Sequence, residues 1–354
     1  LAVIDRIRET NKYTHVVFVG RKYTSEKEKQ VESFEYKEVT ARNIPFIHLS
    51  TGRLTRLFSL RSLQNIFQIP QGFFSAWRIL KQEKPNAILS FGGYIALPIA
   101  ICAKLLEIPV YTHEQTITPG LANNIIAQFA DIIFLSFPES ALYFKGKNII
   151  LSGNPIRKSI FQTNTKLSIE KDIPCIYVTG GSLGAHAVNV LIENILAELL
   201  EQYYVIHQTG NVTEFQDYDR LSKLKDALPD ELKKRYIIKQ HVSDEEIGAI
   251  YNCADIVIGR AGANTFFEMI ALQKPTIFIP LPWSANGEQE HHAQIFKKHK
   301  TGEIVHQSEG SAQLLKIIQQ ITSRKEEYIS HFNSLSTYNN INAADTIIET
   351  IFKE

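Results

Sequence analysis

The sequence predicts an α/β protein of two domains, each a doubly wound parallel sheet with helices on both faces. Three observations carry that expectation. The 354 residues amount to two domains at roughly 150 residues each. Short β-branched runs alternate with longer amphipathic stretches along the whole chain, the pattern left by strands joined through crossover helices. Glycine-rich turns follow several of these runs, at the strand carboxyl ends where such sheets hold their ligands.

In the first half the strand-like runs are 15–19, 87–91, 110–114, 131–136 and 148–152, with helical patterns at 95–106 and 121–129. In the second half the runs are 175–179, 203–208, 235–239, 256–258, 276–280 and 302–305, with helical patterns at 185–200, 244–253 and 263–272. A polar segment, 162–174, separates the two series. The expected division is therefore residues 1–157 and 158–337. A final helix, 341–352, carries Ile341, Ala344, Ile347, Ile348 and Ile351 on one stripe and needs a partner surface.

A hydrophobic share of 44% and a charged share of 21% exclude a disordered, collagen-like or coiled-coil chain. The longest apolar stretch, 94–103, is broken by Pro98 and is too short to span a bilayer. Cys102, Cys175 and Cys253 lie far apart in apolar surroundings, which reads as reduced core thiols of a cytosolic protein and gives no metal site. Residues 1–157 hold 19 Lys+Arg against 12 Asp+Glu, while 158–354 hold 19 against 25. The basic half suits an anionic partner; a chance imbalance of solvated side chains is the other reading. Leu1 opens the chain and Met269 is its only methionine, so residue 1 is not expected to be a translation start.

The strongest local motif is Gly180-Gly181-Ser182-Leu183-Gly184-Ala185 after the run 175–179. Glycines let backbone amides approach a phosphate, and the helix start adds partial positive charge. A second such turn is Gly259-Arg260-Ala261-Gly262-Ala263-Asn264-Thr265, with Glu268 one helical turn beyond. That carboxylate either accepts two hydroxyls of a ribose or only complements the helix dipole. The loop 280–292, with Gln289, is dense in hydrogen-bonding groups as a sugar site would be; its adjacent His291 and His292 are read as surface or lid residues. In the first half, Gly92, Gly93 and Tyr94 follow one run and His113, Glu114, Gln115 and Thr116 end another. His113 is either a structural histidine or part of a site. Between residues 52 and 81, Leu57, Phe58, Leu63, Phe67, Phe73, Phe74 and Trp77 interleave with Arg53, Arg56, Arg61, Arg78 and Lys81, with no acidic residue. This is either a patch for an anionic membrane surface or a pair of core-packed helices with a basic rim.

The motif set resembles the MurG family of peptidoglycan glycosyltransferases. The residues that carry the likeness are Gly92-Gly93-Tyr94 with Pro98, His113-Glu114-Gln115 with Pro119-Gly120 and Asn123, Gly153-Asn154-Pro155-Ile156-Arg157, Gly180 to Ala185, His207-Gln208, Arg260 to Glu268, and Gln289 with Ala293. The resemblance implies a GT-B fold, two Rossmann-like domains facing a central cleft, with helix 338–354 packing back on the first domain. It implies an inverting transfer of N-acetylglucosamine from UDP-N-acetylglucosamine to an undecaprenyl-diphosphate-linked muramoyl pentapeptide, without metal or other cofactor. On the donor side it implies Gly181, Ser182, Ala263, Asn264 and Thr265 at the diphosphate with Arg157 nearby, Val242 at the uracil, Glu268 at the ribose and Gln289 at the sugar. Gly92, Gly93, Tyr94, His113, Glu114, Gln115 and Thr116 would line the acceptor side. The expected setting is peripheral, at the cytoplasmic face of the cell membrane, with cell-wall synthesis proteins as partners and no nucleic acid.

Two positions depart from the family pattern. Thr116 stands where asparagine is usual, and the loop bearing the usual base histidine would precede Leu1. The chain is thus expected to bind UDP-sugar and turn over poorly, with His113 or Glu114 as fallback base. The alternatives are a UDP-N-acetylglucosamine 2-epimerase and a catalytically impaired UDP-sugar-binding protein.

Overall fold

Two compact units divide the chain, Leu1–Pro155 with Ile341–Glu354, and Ile156–Asn340. They are seen in a computed structural model that describes all residues except Lys12, 24–31, 52–59, Asn164, Lys166, Ser168, Glu170, Lys171, Thr213 and Glu354, together with the side chains of 60–69.

The first unit opens with α1 (Ala2–Thr10), β1 (Phe18–Gly20), α2 (Phe34–Ala41) and β2 (Phe46–His48), followed by α3 (Leu60–Glu83). Then come β3 (Ile88–Ser90), α4 (Ala96–Leu105), β4 (Val110–Glu114), α5 (Leu121–Ile126), β5 (Ile132–Leu135) and β6 (Ile149–Leu151). Every described pairing of these named strands is parallel: β1 with β2, and β3-β4-β5-β6 in that order. The strand period of two sorts side chains to opposite faces. Val110 joins Ala76, Leu80, Leu97 and Ala100 of α3 and α4 on one face, while Tyr111 joins Ile132, Phe134 and the helices α1 and α15 (Ala343–Lys353) on the other. The terminal helices are further tied by an Arg6–Asp345 ion pair, which explains why the stripe on the last helix needs a partner.

The second unit runs β7 (Cys175–Thr179), α6 (His186–Glu193), α7 (Leu196–Gln202), β8 (Tyr204–Gln208), α8 (Asp217–Asp226), α9 (Asp230–Lys234) and β9 (Tyr236–Lys239). It continues α10 (Asp244–Cys253), β10 (Ile256–Gly259), α11 (Ala263–Leu272), β11 (Thr276–Phe278), α12 (Glu288–Lys298), β12 (Gly302–Ile304), α13 (Gly310–Ser323) and α14 (Lys325–Ser330). Its described strands form one parallel sheet in the order β12-β11-β10-β7-β8-β9. All residues of β7, β8 and β10 are buried, as expected of central strands covered on both faces. Ile176, Val178, Val205, Ile256 and Ile258 pack under Val188, Ile192, Leu199, Leu314 and Ile318 of the helices, each such side chain contributing about 1.5–3 kcal/mol on burial. The pattern 185–200, expected as one helix, is two, because the chain turns at Asn194 and Ile195 between α6 and α7. A capping box joins Ser243 and Glu246 at the start of α10 and fixes where that helix begins.

Candidate functional site

The order of the second sheet points to a location before any residue is considered. From β7 the chain passes over α6 and α7 to β8, and from β10 it passes over α11 to β11 on the opposite side. Crossovers that leave in opposite directions open a crevice at the carboxyl ends of β7 and β10.

Both turns at that point are built from close backbone packing. A Cβ on Gly184, whose φ is +89°, would lie 2.1 Å from the Thr209 carbonyl oxygen; no side chain fits. The Gly181 N–H donates to Thr179 Oγ1 (3.1 Å) and its carbonyl accepts from Gln208 Nε2 (3.1 Å), while Gln208 Oε1 accepts from the Tyr177 hydroxyl (2.7 Å). The turn is thus held from inside, and around Gly181, at φ +82°, the space is open. Ser182 is half-buried beside it. In the second turn Gly262 caps α11, and open space surrounds its Cα as well. Ala263 and Thr265 are half-buried and Asn264 is exposed. Among the described residues, neither α6 nor α11 begins with a side-chain cap, and helix starts of this kind suit an anion.

Glu268 lies in α11 and is 5% exposed. Its Oε1 accepts from Arg157 Nε (2.9 Å) and its Oε2 from the Tyr251 hydroxyl (2.8 Å); Arg157 Nη1 also reaches Asp244 Oδ1 (3.1 Å). Burial works against the charge on Arg157, but the attraction of Glu268, with Tyr251 and Asp244, outweighs it and raises its pKa above the ordinary value. Arg157, expected beside a diphosphate, is here engaged on two carboxylates. Tyr251 and Asp244 were not among the expected site residues. Their only signal in sequence is the helical pattern 244–253, which places them seven residues apart on one face.

The loop after β11 is anchored at its base. Arg260 Nη1 donates to the carbonyls of Ile279 (2.9 Å) and Pro280 (3.1 Å), and burial lowers its pKa. Gln289 Oε1 accepts from the Leu281 N–H (3.0 Å), which leaves its amide NH2 as a donor. His292 corrects the expectation of a surface or lid residue: it is wholly buried, with Nδ1 2.8 Å from the Ala261 carbonyl, and burial pushes its pKa down to about 4. The helical period of α12 turns it inward while His291 stays exposed. Val242, past the end of β9, is 3% exposed.

In the first unit, Glu114 at the end of β4 is 3% exposed. It accepts from Asn123 Nδ2 (2.8 Å), the Thr116 N–H (3.0 Å) and hydroxyl (2.8 Å), and the Gly120 N–H (3.3 Å). His113 is wholly buried, with Nε2 3.0 Å from the Gly153 carbonyl. Burial pushes its pKa down to about 4, outweighing that hydrogen bond, and no partner meets its Nδ1 among the described residues. Both fallback candidates for the base are thus buried side chains, Glu114 with four donors on its carboxylate. A Cβ on Gly92 would lie 2.6 Å from Asn123 Oδ1, whereas Gly93 has open space. The Tyr94 hydroxyl accepts from Arg21 Nη1 (3.2 Å), and Gln115 is half-buried.

Of the apolar residues expected at a membrane, Leu57 and Phe58 lie outside the described residues, as do the side chains of Leu63 and Phe67. Phe73 is half-buried and packs against the core of its unit. Phe74 and Trp77 are 72% and 38% exposed, and Lys81 Nζ lies 5.7 Å from the Trp77 ring centre. No helix among the described residues is long and apolar enough to cross a membrane.

Residues 175–349 match the glycosyltransferase family 28 C-terminal domain and residues 28–135 its N-terminal domain. A Clostridium perfringens (strain SM101 / Type A) protein named UDP-N-acetylglucosamine--N-acetylmuramyl-(pentapeptide) pyrophosphoryl-undecaprenol N-acetylglucosamine transferase is 33% identical over 357 residues, covering 99% of this chain and 93% of its own. A Clostridium botulinum (strain Alaska E43 / Type E3) protein of the same name is 33% identical over 360 residues, covering 100% and 93%. Among solved structures, MurG of Acinetobacter baumannii superposes with a TM-score of 0.70 at 23% identity, over 100% of this chain and 94% of that one. The UDP-GlcNAc 2-epimerase of Neisseria meningitidis, bound to UDP-GlcNAc, gives 0.65 at 14% identity, over 100% and 95%. These likenesses show the fold, which is GT-B.

Proposed function

The chain belongs to glycosyltransferase family 28, and from that premise we propose that it moves N-acetylglucosamine from UDP-N-acetylglucosamine to an undecaprenyl-diphosphate-linked N-acetylmuramyl pentapeptide in peptidoglycan synthesis. The observation that carries this reading is the pair of helix starts without side-chain caps at the ends of β7 and β10, with Glu268 one turn into the second.

On this reading Gly181, Ser182 and the first amides of α6 and of α11, at Ala263, Asn264 and Thr265, take the diphosphate. Glu268 accepts the ribose hydroxyls, the backbone at Val242 pairs with uracil, and the Gln289 amide donates to the sugar. Arg157 enters the site through Glu268. The acceptor hydroxyl gives up its proton to a general base and attacks the anomeric carbon from the face opposite UDP, so configuration inverts while the bond to the β-phosphate oxygen breaks and UDP leaves with its electron pair. Charge then grows on the leaving diphosphate, where two helix dipoles already point, and fixed dipoles of this kind lower the barrier without reorganising. The proposal needs no divalent metal for that role. On the first unit, Gly93, Tyr94, Gln115 and Thr116 are read as the acceptor-facing groups, with Gly92 supporting them against Asn123. Phe74 and Trp77, beside Arg78 and Lys81, are read as resting on an anionic membrane surface at its cytoplasmic face.

The test supplies radiolabelled UDP-N-acetylglucosamine and lipid-linked muramoyl pentapeptide in detergent. Label is expected in the lipid at a low rate, because the loop bearing the family's usual base is not in this sequence. Loss of UDP-N-acetylglucosamine without acceptor, with appearance of its 2-epimer, would contradict the proposal.

A further inference from the structure

Tyr251 does no work in the reading above, yet it is placed as a working residue. Its hydroxyl donates to Glu268 Oε2 at 2.8 Å from α10, while Arg157 holds Oε1 at 2.9 Å from the segment before β7. A carboxylate that only complements a helix dipole needs neither partner. A carboxylate that accepts from two neighbouring hydroxyls of a ribose has a stricter requirement, because the terminal torsion of glutamate is broad and roughly two-fold and both oxygens must face the diol together. One donor on each oxygen sets that plane and leaves lone pairs on both oxygens for a ligand. Tyr251 is 2% exposed, its ring packed edge-on against Tyr177 with centres 5.5 Å apart and planes at 82°. It therefore acts through Glu268. Burial and the Glu268 charge raise the Tyr251 pKa well above its ordinary value, so the hydroxyl stays a donor throughout the neutral range.

We infer that Tyr251 is a positioning residue for ribose recognition, orienting the Glu268 carboxylate so that a ribonucleotide is preferred over its 2′-deoxy counterpart. This inference rests on the reading of Glu268 as the ribose ligand.

Calorimetric titrations with UDP and with 2′-deoxy-UDP test both, because the ratio of the two affinities cancels any loss of stability common to both. Wild type is expected to prefer UDP by about tenfold or more, the worth of one hydrogen bond to a charged group, and Glu268→Ala to abolish the preference. Tyr251→Phe, which keeps the ring, is expected to cut the ratio by about threefold or more, a fraction of such a bond. Tyr251→His, a shorter ring with an N–H donor, is expected to fall between the two and serves if the Phe variant does not fold. Tyr328→Phe, which removes a hydroxyl that donates to Glu303 Oε1 (2.8 Å) elsewhere in the same unit, is expected to keep the wild-type ratio. A wild-type protein that binds UDP and 2′-deoxy-UDP equally would defeat the reading of Glu268, and the inference with it. If Glu268→Ala abolishes the preference while Tyr251→Phe keeps it, or if Tyr328→Phe lowers it as much, the inference on Tyr251 alone is overturned.

Discussion

Two buried carboxylates divide the work of this molecule. Glu114 and Glu268 are 3% and 5% exposed, and both lie at or just past the carboxyl end of a parallel strand. Glu114 is satisfied by neutral donors two to nine residues away, among them two backbone amides of the turn that follows it. Glu268 is held by a guanidinium 111 residues away and a tyrosine 17 away. The first arrangement closes a turn on itself, with every donor drawn from the turn and the helix that follow it. The second balances a charge against partners from separate elements, and a balance of that kind can be shared with a ligand. Burial alone therefore does not mark a functional carboxylate; the range and charge of its partners do.

The largest effect that would sharpen this contrast is on stability. Glu114→Ala takes the acceptor from the Thr116 and Gly120 amides, while the Thr116 hydroxyl keeps the Thr118 carbonyl and Asn123 Nδ2 the His113 carbonyl, at a cost of about 2 kcal/mol or more, which at about 2–4 °C per kcal/mol lowers a melting midpoint by about 4–8 °C. Glu268→Ala leaves Arg157 on Asp244 and strands one hydroxyl, so calorimetric scans should show about half that loss. Equal losses would erase the distinction between the two sites.

Acid provides the next comparison. Burial holds His113 at about 4 in the first unit, and His207 and His292 at about 3 and about 4 in the second, against an ordinary value of 6.5. Between those limits the unfolded chain takes up protons that the folded chain refuses. Stability is thus fully kept above pH 6.5 and falls as the pH drops toward 4, by about 1.4 kcal/mol per pH unit for each histidine. The second unit, with two such groups, should lose protection faster than the first when hydrogen exchange is followed by mass spectrometry from pH 7 to pH 5. Loss at the same rate in both would break the comparison.

The smallest effect concerns the first unit alone. Lys81→Glu should weaken binding to vesicles containing phosphatidylglycerol by at least about fivefold, since each basic residue near such a surface is worth about 1 kcal/mol. Unchanged binding would return α3 to a purely structural role.

The same contrast explains what the sequence made legible. Where the determinants are local, the reading and the structure meet: the runs 175–179 and 110–114 are the fully buried strands β7 and β4, and the patterns 244–253 and 263–272 are α10 and α11, residue for residue. Glycine-rich turns announced backbone packing such as that of Gly184 on Thr209. Short or mixed segments escaped: β2 is three residues with a half-exposed pattern, and α2 is too evenly apolar and polar around its circumference to show a stripe. His292 was misplaced because adjacent histidines look alike in sequence, while a helix turns one in and the next out. The Arg157–Glu268–Tyr251 contact was illegible for a plainer reason: its members are joined only by the fold, and no spacing records them.

The central claim is that the ends of β7 and β10 form a donor site in which Glu268 answers for the nucleotide. The most direct measurement is calorimetric titration of the chain with UDP-N-acetylglucosamine and with UDP-glucose, without divalent metal, repeated on Glu268→Ala. The account predicts binding that favours UDP-N-acetylglucosamine and weakens by about tenfold or more in the variant, the range for a lost hydrogen bond to a charged group. Binding of equal strength in wild type and variant would contradict it.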